Sequence, residues 1–407
     1  MDATDHPGLL AALADALDGG APVLPRAPGL SDAHLEPLLK APLPAGTAVV
    51  VRTSGSSGVP KSVALSAAAL RSSAAATHEA LGGPGQWLVT LPAHLISGLQ
   101  MLVRSQLAGV PAHLLPGPFD PAALLQASTQ MQHERRYVSL VPVQLARLLD
   151  LAEADETAAE LLRGFAGVLV GGQATPLSMR QRAHELGVAL RRSYGMTETS
   201  GGCVYDGVEI GDTRVRIRDG EVQIAGSCLA LGYVGDEALT QHHFIMDAGT
   251  HWYRTGDAGA LLGGMLTVTG RLDRVIISGG VNVSLDEVER VVRDLPGWHS
   301  AVALGAPHPE WGERVTLVRE LPGAAGHSPH NEHASELDQT VSEGAGAGAT
   351  FEEVSDTLKK QLGAAAVPLW VNEMAHLPWL EGGKPDLPAI ERWVRELRRS
   401  FRTLGNR

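Results

Sequence analysis

The sequence predicts an α/β protein: a large N-terminal domain of αβ layers that ends in a small β-barrel or meander, followed by a smaller α+β domain. Three observations carry this. Apolar strand-like runs alternate with helix-like runs from Ala48 to Gly187, short strands with Gly and Asp turns replace them after Tyr194, and a helix–strand pattern restarts after Arg271. The 407 residues suffice for two or three domains with sizeable cores.

Taken in order, residues 9–18 carry the spacing of a short amphipathic helix, and a Pro-rich connector runs from Pro22 to Pro44. Ala48–Arg52 is an apolar run that reads as a buried strand entering the loop TSGSSGVPKS, and VALS beyond it reads as another strand. SAAALRSSAAATHEAL is a helix of small residues that Ser66 can cap. QWLVTLP, VPAHLLP, YVSLVP and GVLVGG are strands separated by LISGLQMLVRSQLAG, VQLARLLDLAE and SMRQRAHELG, an order that implies a parallel sheet with helices on both faces. DTRVRIRDGEVQIAG, GTHWYRTGDAGALL and GMLTVTGR supply the barrel or meander. LDEVERVVRDL and SAVALGAP open the last, compact unit.

Hydrophobic residues are 44% and charged residues 19%, a globular balance. A net charge of −12 argues against holding nucleic acid or anionic lipid by bulk electrostatics, although a local cluster of N–H groups can still bind a small anion. Cys203 and Cys228 are too few for a disulfide framework and are not spaced as a metal site. MDATDHPGLLAALADAL lacks a basic region and a long apolar run, and no window offers the roughly 20 apolar residues of a membrane span, so a cytoplasmic protein without membrane insertion is expected. The sequon at Asn282 is then coincidental. Residues 322–350 are rich in Gly, Ala, Ser and His and read as a flexible loop, in which His327, His330 and His333 lack the framework a metal site needs.

TSGSSGVPKS nearly matches a Walker phosphate loop, but Pro60 takes a glycine position, and it has no N–H and a fixed φ. Gly55 and Gly58 allow a tight turn in which N–H groups and the hydroxyls of Thr53, Ser54, Ser56 and Ser57 face an anion, with Lys61 at the edge. Alone, the loop leaves open a plain Gly–Ser turn with an incidental lysine as the lesser reading. It is followed by Tyr194-Gly-Met-Thr-Glu-Thr-Ser-Gly201, Tyr253-Arg-Thr-Gly-Asp257, Gly270-Arg-Leu-Asp-Arg274 and Gly382-Gly-Lys384. These five motifs, in this order between Val49 and Ile390, resemble the adenylate-forming superfamily of acyl-CoA synthetases, peptide-synthetase adenylation domains and luciferases. THEALGGPGQWLVTLPAHLISGLQMLVRS, RRYVSLVPVQLARLL and YGMTETSGGCVYDG narrow the resemblance to the o-succinylbenzoate–CoA ligase family of actinobacteria, which serves menaquinone biosynthesis. Ser57 and Ser62 replace the usual Thr and Gly, and neither change removes a needed hydroxyl or cation.

The resemblance implies ATP-dependent activation of a carboxylic acid as an acyl-adenylate, then transfer to coenzyme A with Mg2+ as the metal. The glycine loop would hold the β- and γ-phosphates. Thr197 suits an α-phosphate oxygen and Glu198 suits Mg2+, although the pair would also make an ordinary helix cap with a first-turn acid. Asp257 can accept from both ribose hydroxyls, or can belong to a plain Gly–Asp turn. Arg271 would support ribose or phosphate, and Gly171, Gly172, Gln173, Tyr194 and Gly195 the adenine pocket. Lys384, otherwise a surface lysine, would stabilise the approaching carboxylate and phosphate. Asp273 would be the hinge between a domain of residues 1–272 and a mobile one of residues 273–407, whose Gly279 and Gly280 let the CoA arm approach. His94, Ser97, Gly98, Ser200, Gly201 and Gly202 would line the acid pocket. A second carboxylate needs a donor, for which Arg104, Arg136 and Arg192 are candidates. Expected partners are the small molecules o-succinylbenzoate, ATP and CoA, with no nucleic acid, and a homodimer is left open. The alternatives are another aryl- or acyl-CoA synthetase, a stand-alone adenylation domain, and a nucleotide-binding regulatory protein that is not an enzyme.

Overall fold

The computed structural model describes residues 1–30, 32–53, 60–115, 117–321, 348–380 and 382–404. The chain forms two compact units: Met1–Val268, with which residues 382–384 group, and Thr269–Leu380 with the segment from Pro385 onward.

In the first unit a seven-stranded sheet has the order His113–Leu114, Gln86–Val89, Arg136–Leu140, Gly167–Val170, Leu190–Met196, Gly201–Tyr205, Val208–Glu209. The first five strands pair in parallel, each reached through a helical crossover, and their side chains sort by the two-residue period of a strand. Trp87, Val89, Tyr137 and Leu169 enter one core together with helices Ala67–Ala80 and Ile96–Ala108. Leu88, Val138, Val168 and Val170 enter the core on the opposite face, against Leu145, Leu148 and Leu162. The sheet is mixed rather than wholly parallel, because the short turn after Met196 returns the chain antiparallel.

The strands around the glycine loop lie outside this sheet. Thr47–Thr53 and Lys61–Ser66 pair antiparallel with Thr53 opposite Lys61, since so short a connection leaves no room for a crossover. Gly232–Tyr233 adds a third strand, with Tyr233 opposite Val63. The Pro-rich connector contains a helix, Asp32–Lys40, that its proline content concealed.

The expected barrel is an open five-stranded sheet. Arg214–Arg218, Glu221–Ala225, Thr250–Leu262 and Phe244–Asp247 follow in that order, and Met265–Arg271 also pairs with Thr250–Leu262. The 13-residue strand takes different partners along its length, and no pairing among the described residues closes the ring. One edge carries Arg214, Arg216 and Arg218, charges that discourage further strand addition.

The second unit has the sheet order Val281–Ser284, Val275–Ser278, Gly312–Glu320, Val302–His308, with Val371–Met374 parallel to Gly312–Glu320. Ser284 caps helix Leu285–Arg293 by accepting from the Glu287 N–H. Val288, Val292, Val354 and Leu358 fill its core with Trp298. Most of the glycine-rich stretch 322–350, with its three histidines, lies outside the described residues. No helix among the described residues is long and apolar enough to cross a membrane.

Candidate active site

The turn Thr197–Thr199 ends on Ser200 at φ +52°, followed by Gly201 at +103°, so the backbone here is left-handed at a residue that has a Cβ. Its surroundings hold it there. The Ser200 hydroxyl donates to the Cys228 carbonyl (2.8 Å), and the Ser200 carbonyl accepts from Ser73 Oγ (2.9 Å) and Gln100 Nε2 (2.7 Å). Thr199 Oγ1 accepts from Met196 N (3.0 Å) and donates to the Gly201 carbonyl (2.7 Å). Gly195 must be glycine, since a Cβ there would lie 2.1 Å from the Gly201 oxygen.

The turn buries Thr197 and leaves Glu198 8% exposed. Tyr233 OH donates to Glu198 Oε1 at 2.8 Å, and Ala230 N donates to the Glu198 carbonyl at 2.8 Å. No donor among the described residues reaches Oε2. The Tyr233 ring also lies 5.7 Å from the ammonium of Lys61, so the glycine-loop lysine and the acidic turn meet at one tyrosine. Thr53 is opposite Lys61 at the mouth of the same hairpin. Ser54, Gly55, Ser56, Ser57 and Gly58 lie outside the described residues.

Asp257 and Tyr194 are brought together: Tyr194 OH donates to Asp257 Oδ2 at 2.7 Å. Burial, and then the Asp257 charge, push the Tyr194 hydroxyl well above its ordinary pKa, so it stays a donor. Asp257 N donates to Thr255 Oγ1 (3.0 Å), which donates to the Val222 carbonyl (2.7 Å). Buried Glu221 accepts from Gly256 N (3.0 Å) and Arg254 Nε (2.9 Å). Burial alone would raise the Glu221 carboxyl, but these donors outweigh it and hold it below the usual range.

Gly171 sits where a Cβ would meet the Ser193 carbonyl at 2.9 Å, and Gly172 is left-handed at φ +84°. Gln173 Nε2 donates to the carbonyl of Gly383, which precedes the exposed Lys384.

Of the residues expected to line an acid pocket, His94 is buried and Ser97 half-buried. Gly98 lets the start of helix Ile96–Ala108 lie on the backbone, as its Cβ would fall 2.2 Å from the Pro92 carbonyl. The space beside Gly202 belongs to Ser193 Oγ (2.1 Å from an added Cβ) and the Tyr205 ring (2.8 Å), so this glycine serves packing; Gly201 faces Gln100.

The three candidate arginines separate. Arg136 donates to the Ser128 carbonyl, and Arg192 pairs with Asp206 in the open. Arg104 is 3% exposed, its guanidinium lies 4.8 Å over Trp87, its Nε has no hydrogen-bond partner, and no carboxylate among the described residues pairs with it. Beside it, His78 is pushed down to about 4 by burial and then by the Arg104 charge.

In the second unit Arg271 grips Asp273 with Nε and Nη2, each 3.1 Å from a carboxylate oxygen. Gly279 (φ +60°) and Gly280 (+81°) turn the hairpin, and a Cβ on Gly279 would strike Trp311 at 2.7 Å. Sequence reasoning missed Ser73, Gln100 and Tyr233, each of which holds a predicted site residue, and Glu221, which holds the backbone next to Asp257. For Tyr233 the available signal was only a tyrosine after glycine in the apolar run Cys228–Val234, which reads equally as core.

A two-unit chain with a layered sheet, a glycine-loop lysine beside a buried acidic turn, and a tyrosine–aspartate pair in the same unit defines an adenylate-forming enzyme. The AMP-binding enzyme family profile matches residues 12–234. A probable 2-succinylbenzoate–CoA ligase of Mycobacterium tuberculosis is 39% identical over 317 residues, 76% of this chain and 80% of the relative. The 2-succinylbenzoate–CoA ligase of Salmonella typhimurium is 32% identical over 67% of this chain and 58% of its own length. Among solved structures, O-succinylbenzoate coenzyme A synthetase (MenE) from Bacillus subtilis in complex with AMP superposes with a TM-score of 0.66 at 26% identity, over 85% of this chain and 69% of that one. The chain belongs to the AMP-binding enzyme family.

Proposed function

We propose that the protein ligates coenzyme A to 2-succinylbenzoate, forming AMP and pyrophosphate, as a step toward menaquinone. The observation that carries the choice of acid is Arg104. A guanidinium buried without an acidic partner is costly, and an acid with a second, non-reacting carboxylate would supply the missing charge. The likeness to the mycobacterial relative over most of both chains supports the same acid.

In the first half-reaction a carboxylate oxygen of the acid attacks the α-phosphorus of ATP and pyrophosphate leaves. In the second, the CoA sulfur attacks the acyl carbon, its proton passes to solvent, and AMP leaves. Catalysis is positioning and neutralisation of charge. Thr197 would donate to an α-phosphate oxygen, and Asp257, oriented by Tyr194, would accept from the ribose hydroxyls. Lys61 and the glycine loop would hold the departing phosphates, and Gly171–Gln173 the adenine. Lys384 would bridge the attacking carboxylate and the α-phosphate. Asp273 would be the hinge that exchanges Lys384 for Gly279 and Gly280, between domains of residues 1–272 and 273–407.

The donor set suits Mg2+. Among the described residues Glu198 offers one oxygen without a protein donor, and no group of three His, Cys, Asp or Glu side chains forms a cage. Mg2+ is held this way, by one or two carboxylates with substrate phosphates. When bound it neutralises phosphate charge.

ATP–pyrophosphate exchange across a panel of aryl and alkyl carboxylic acids, followed by thioester assay with CoA, tests the proposal. Exchange with 2-succinylbenzoate and its conversion to a thioester are expected. Exchange only with another acid would refute the substrate. One solved neighbour is an amide bond synthetase, McbA of Marinactinospora thermotolerans (TM-score 0.68, 26% identity), so amines offered in place of CoA serve as the competing nucleophile.

A further inference from the structure

We infer that Tyr233 is a positioning residue for Glu198, selecting which carboxylate oxygen meets the cation that accompanies ATP. The inference rests on the assignment of Glu198 to that cation. Tyr233 is 4% exposed, and its only phenolic proton is given to Glu198 Oε1 at 2.8 Å. The Tyr253 hydroxyl stands 3.4 Å from the Tyr233 oxygen. Because the Tyr233 proton is committed to the carboxylate, Tyr253 is the donor at this second contact. The order is therefore Tyr253 to Tyr233 to Glu198, with every proton pointing toward the carboxylate. Burial, then the Glu198 charge, raise the Tyr253 hydroxyl well above its ordinary pKa, which keeps it protonated for that role.

The ring itself is fixed. His243 meets it edge-on at 5.9 Å and Phe244 at 5.9 Å, while the Lys61 ammonium lies 5.7 Å from its centroid. His243 is fixed in turn, since its Nδ1 lies 2.8 Å from the Arg254 carbonyl and must donate there. A carboxylate whose Oε1 accepts from a rigid phenol has its rotation and one lone pair of that oxygen committed, so Oε2, which meets no donor among the described residues, is the oxygen best placed for a metal. Contact through Oε2 alone suits a small octahedral ion whose other ligands are phosphate oxygens and water. Partners that orient a metal-binding side chain typically contribute about 10- to 100-fold in metal affinity.

Tyr233→Phe keeps the ring, its packing and the Lys61 contact, and removes the hydroxyl, which is both the donor to Glu198 and the acceptor from Tyr253. Mn2+, standing in for Mg2+, is titrated by electron paramagnetic resonance into full-length enzyme saturated with a non-hydrolysable α,β-methylene ATP analogue. Affinity for Mn2+ is expected to fall about tenfold. The Mg2+ half-saturation in pyrophosphate exchange should rise by a similar factor, with the KM for the acid unchanged. Tyr253→Phe, which removes the outer donor, should move Mn2+ affinity in the same direction by less. Unchanged Mn2+ affinity in Tyr233→Phe, alongside a clear loss in Glu198→Gln, overturns the role of Tyr233 and leaves Glu198 standing. Unchanged affinity in Glu198→Gln overturns both.

Discussion

Arg104→Met should make the protein more stable and its chemistry worse. The guanidinium is 3% exposed, has an unpartnered Nε and faces no described carboxylate, so the free enzyme carries its desolvation cost, several kcal/mol in proteins after relaxation. The contact over Trp87 at 4.8 Å returns about 1–2 kcal/mol. Methionine fills a similar volume without charge, which leaves a net gain of about 1–2 kcal/mol, or about 2–4 °C in Tm for a unit of this size. His78 reports the same change. Its folded pKa of about 4 lies below the ordinary 6.5, so the unfolded chain takes up the proton first. Stability is therefore fully present above about pH 6.5 and is lost as pH falls toward 4, by at most about 3 kcal/mol. Without Arg104 the folded pKa rises and this acid-side loss shrinks. In pyrophosphate exchange, kcat/KM for 2-succinylbenzoate should fall about 10²- to 10³-fold, the cost of removing one partner of a buried charge pair, while a benzoate lacking the second carboxylate changes little. Thermal scans at pH 5 and pH 7.5 with exchange assays on the two acids suffice. A Tm lower than wild type, or equal loss with both acids, would show that Arg104 is structural and refute the reasoning.

Three further outcomes follow from the same geometry. Lys384→Ala should abolish adenylation yet largely spare thioester formation from preformed acyl-adenylate, measured by single turnover; equal loss of both steps would contradict a lysine specific to the first. Asp257→Asn should raise the KM for ATP about tenfold or more, since hydrogen bonds to a charged acceptor contribute about 1.5–3 kcal/mol each; isothermal titration with the ATP analogue checks it. Gly195→Ala should cost about 2–3 kcal/mol of stability and most activity, because the new methyl would lie 2.1 Å from the Gly201 carbonyl and move the Thr197–Glu198 turn; calorimetry and pyrophosphate exchange read both effects.

The strands and helices of the layered sheet were legible because their signals are local. Trp87, Val89 and Leu88 sort to opposite faces by a period that four residues already display. The open sheet was not legible. Whether short alternating strands close depends on which edges meet, and the several partners that Thr250–Leu262 takes are a property of pairing, not of any window of sequence. The helix Asp32–Lys40 was masked by Pro37 inside it and by the prolines around it.

The candidate site divides along the same line. Residues that would touch substrate sit in glycine-marked motifs, because a backbone that turns sharply around a ligand needs such residues, and the pattern survives in one dimension. Residues that hold them do not share this mark. Gln100 reaches Ser200 across 100 positions and Tyr233 reaches Glu198 across 35, and nothing near either residue announces its target. Arg104 shows why burial decides. In sequence it is one of three arginines that would ordinarily be expected at the surface. In the fold Arg136 has its carbonyl and Arg192 its aspartate, and of the three only Arg104 is buried with no charged partner among the described residues. On the proposed role, Arg104 carries that mismatch before the anion arrives, and no motif in the sequence records it, because burial and pairing are properties of the fold.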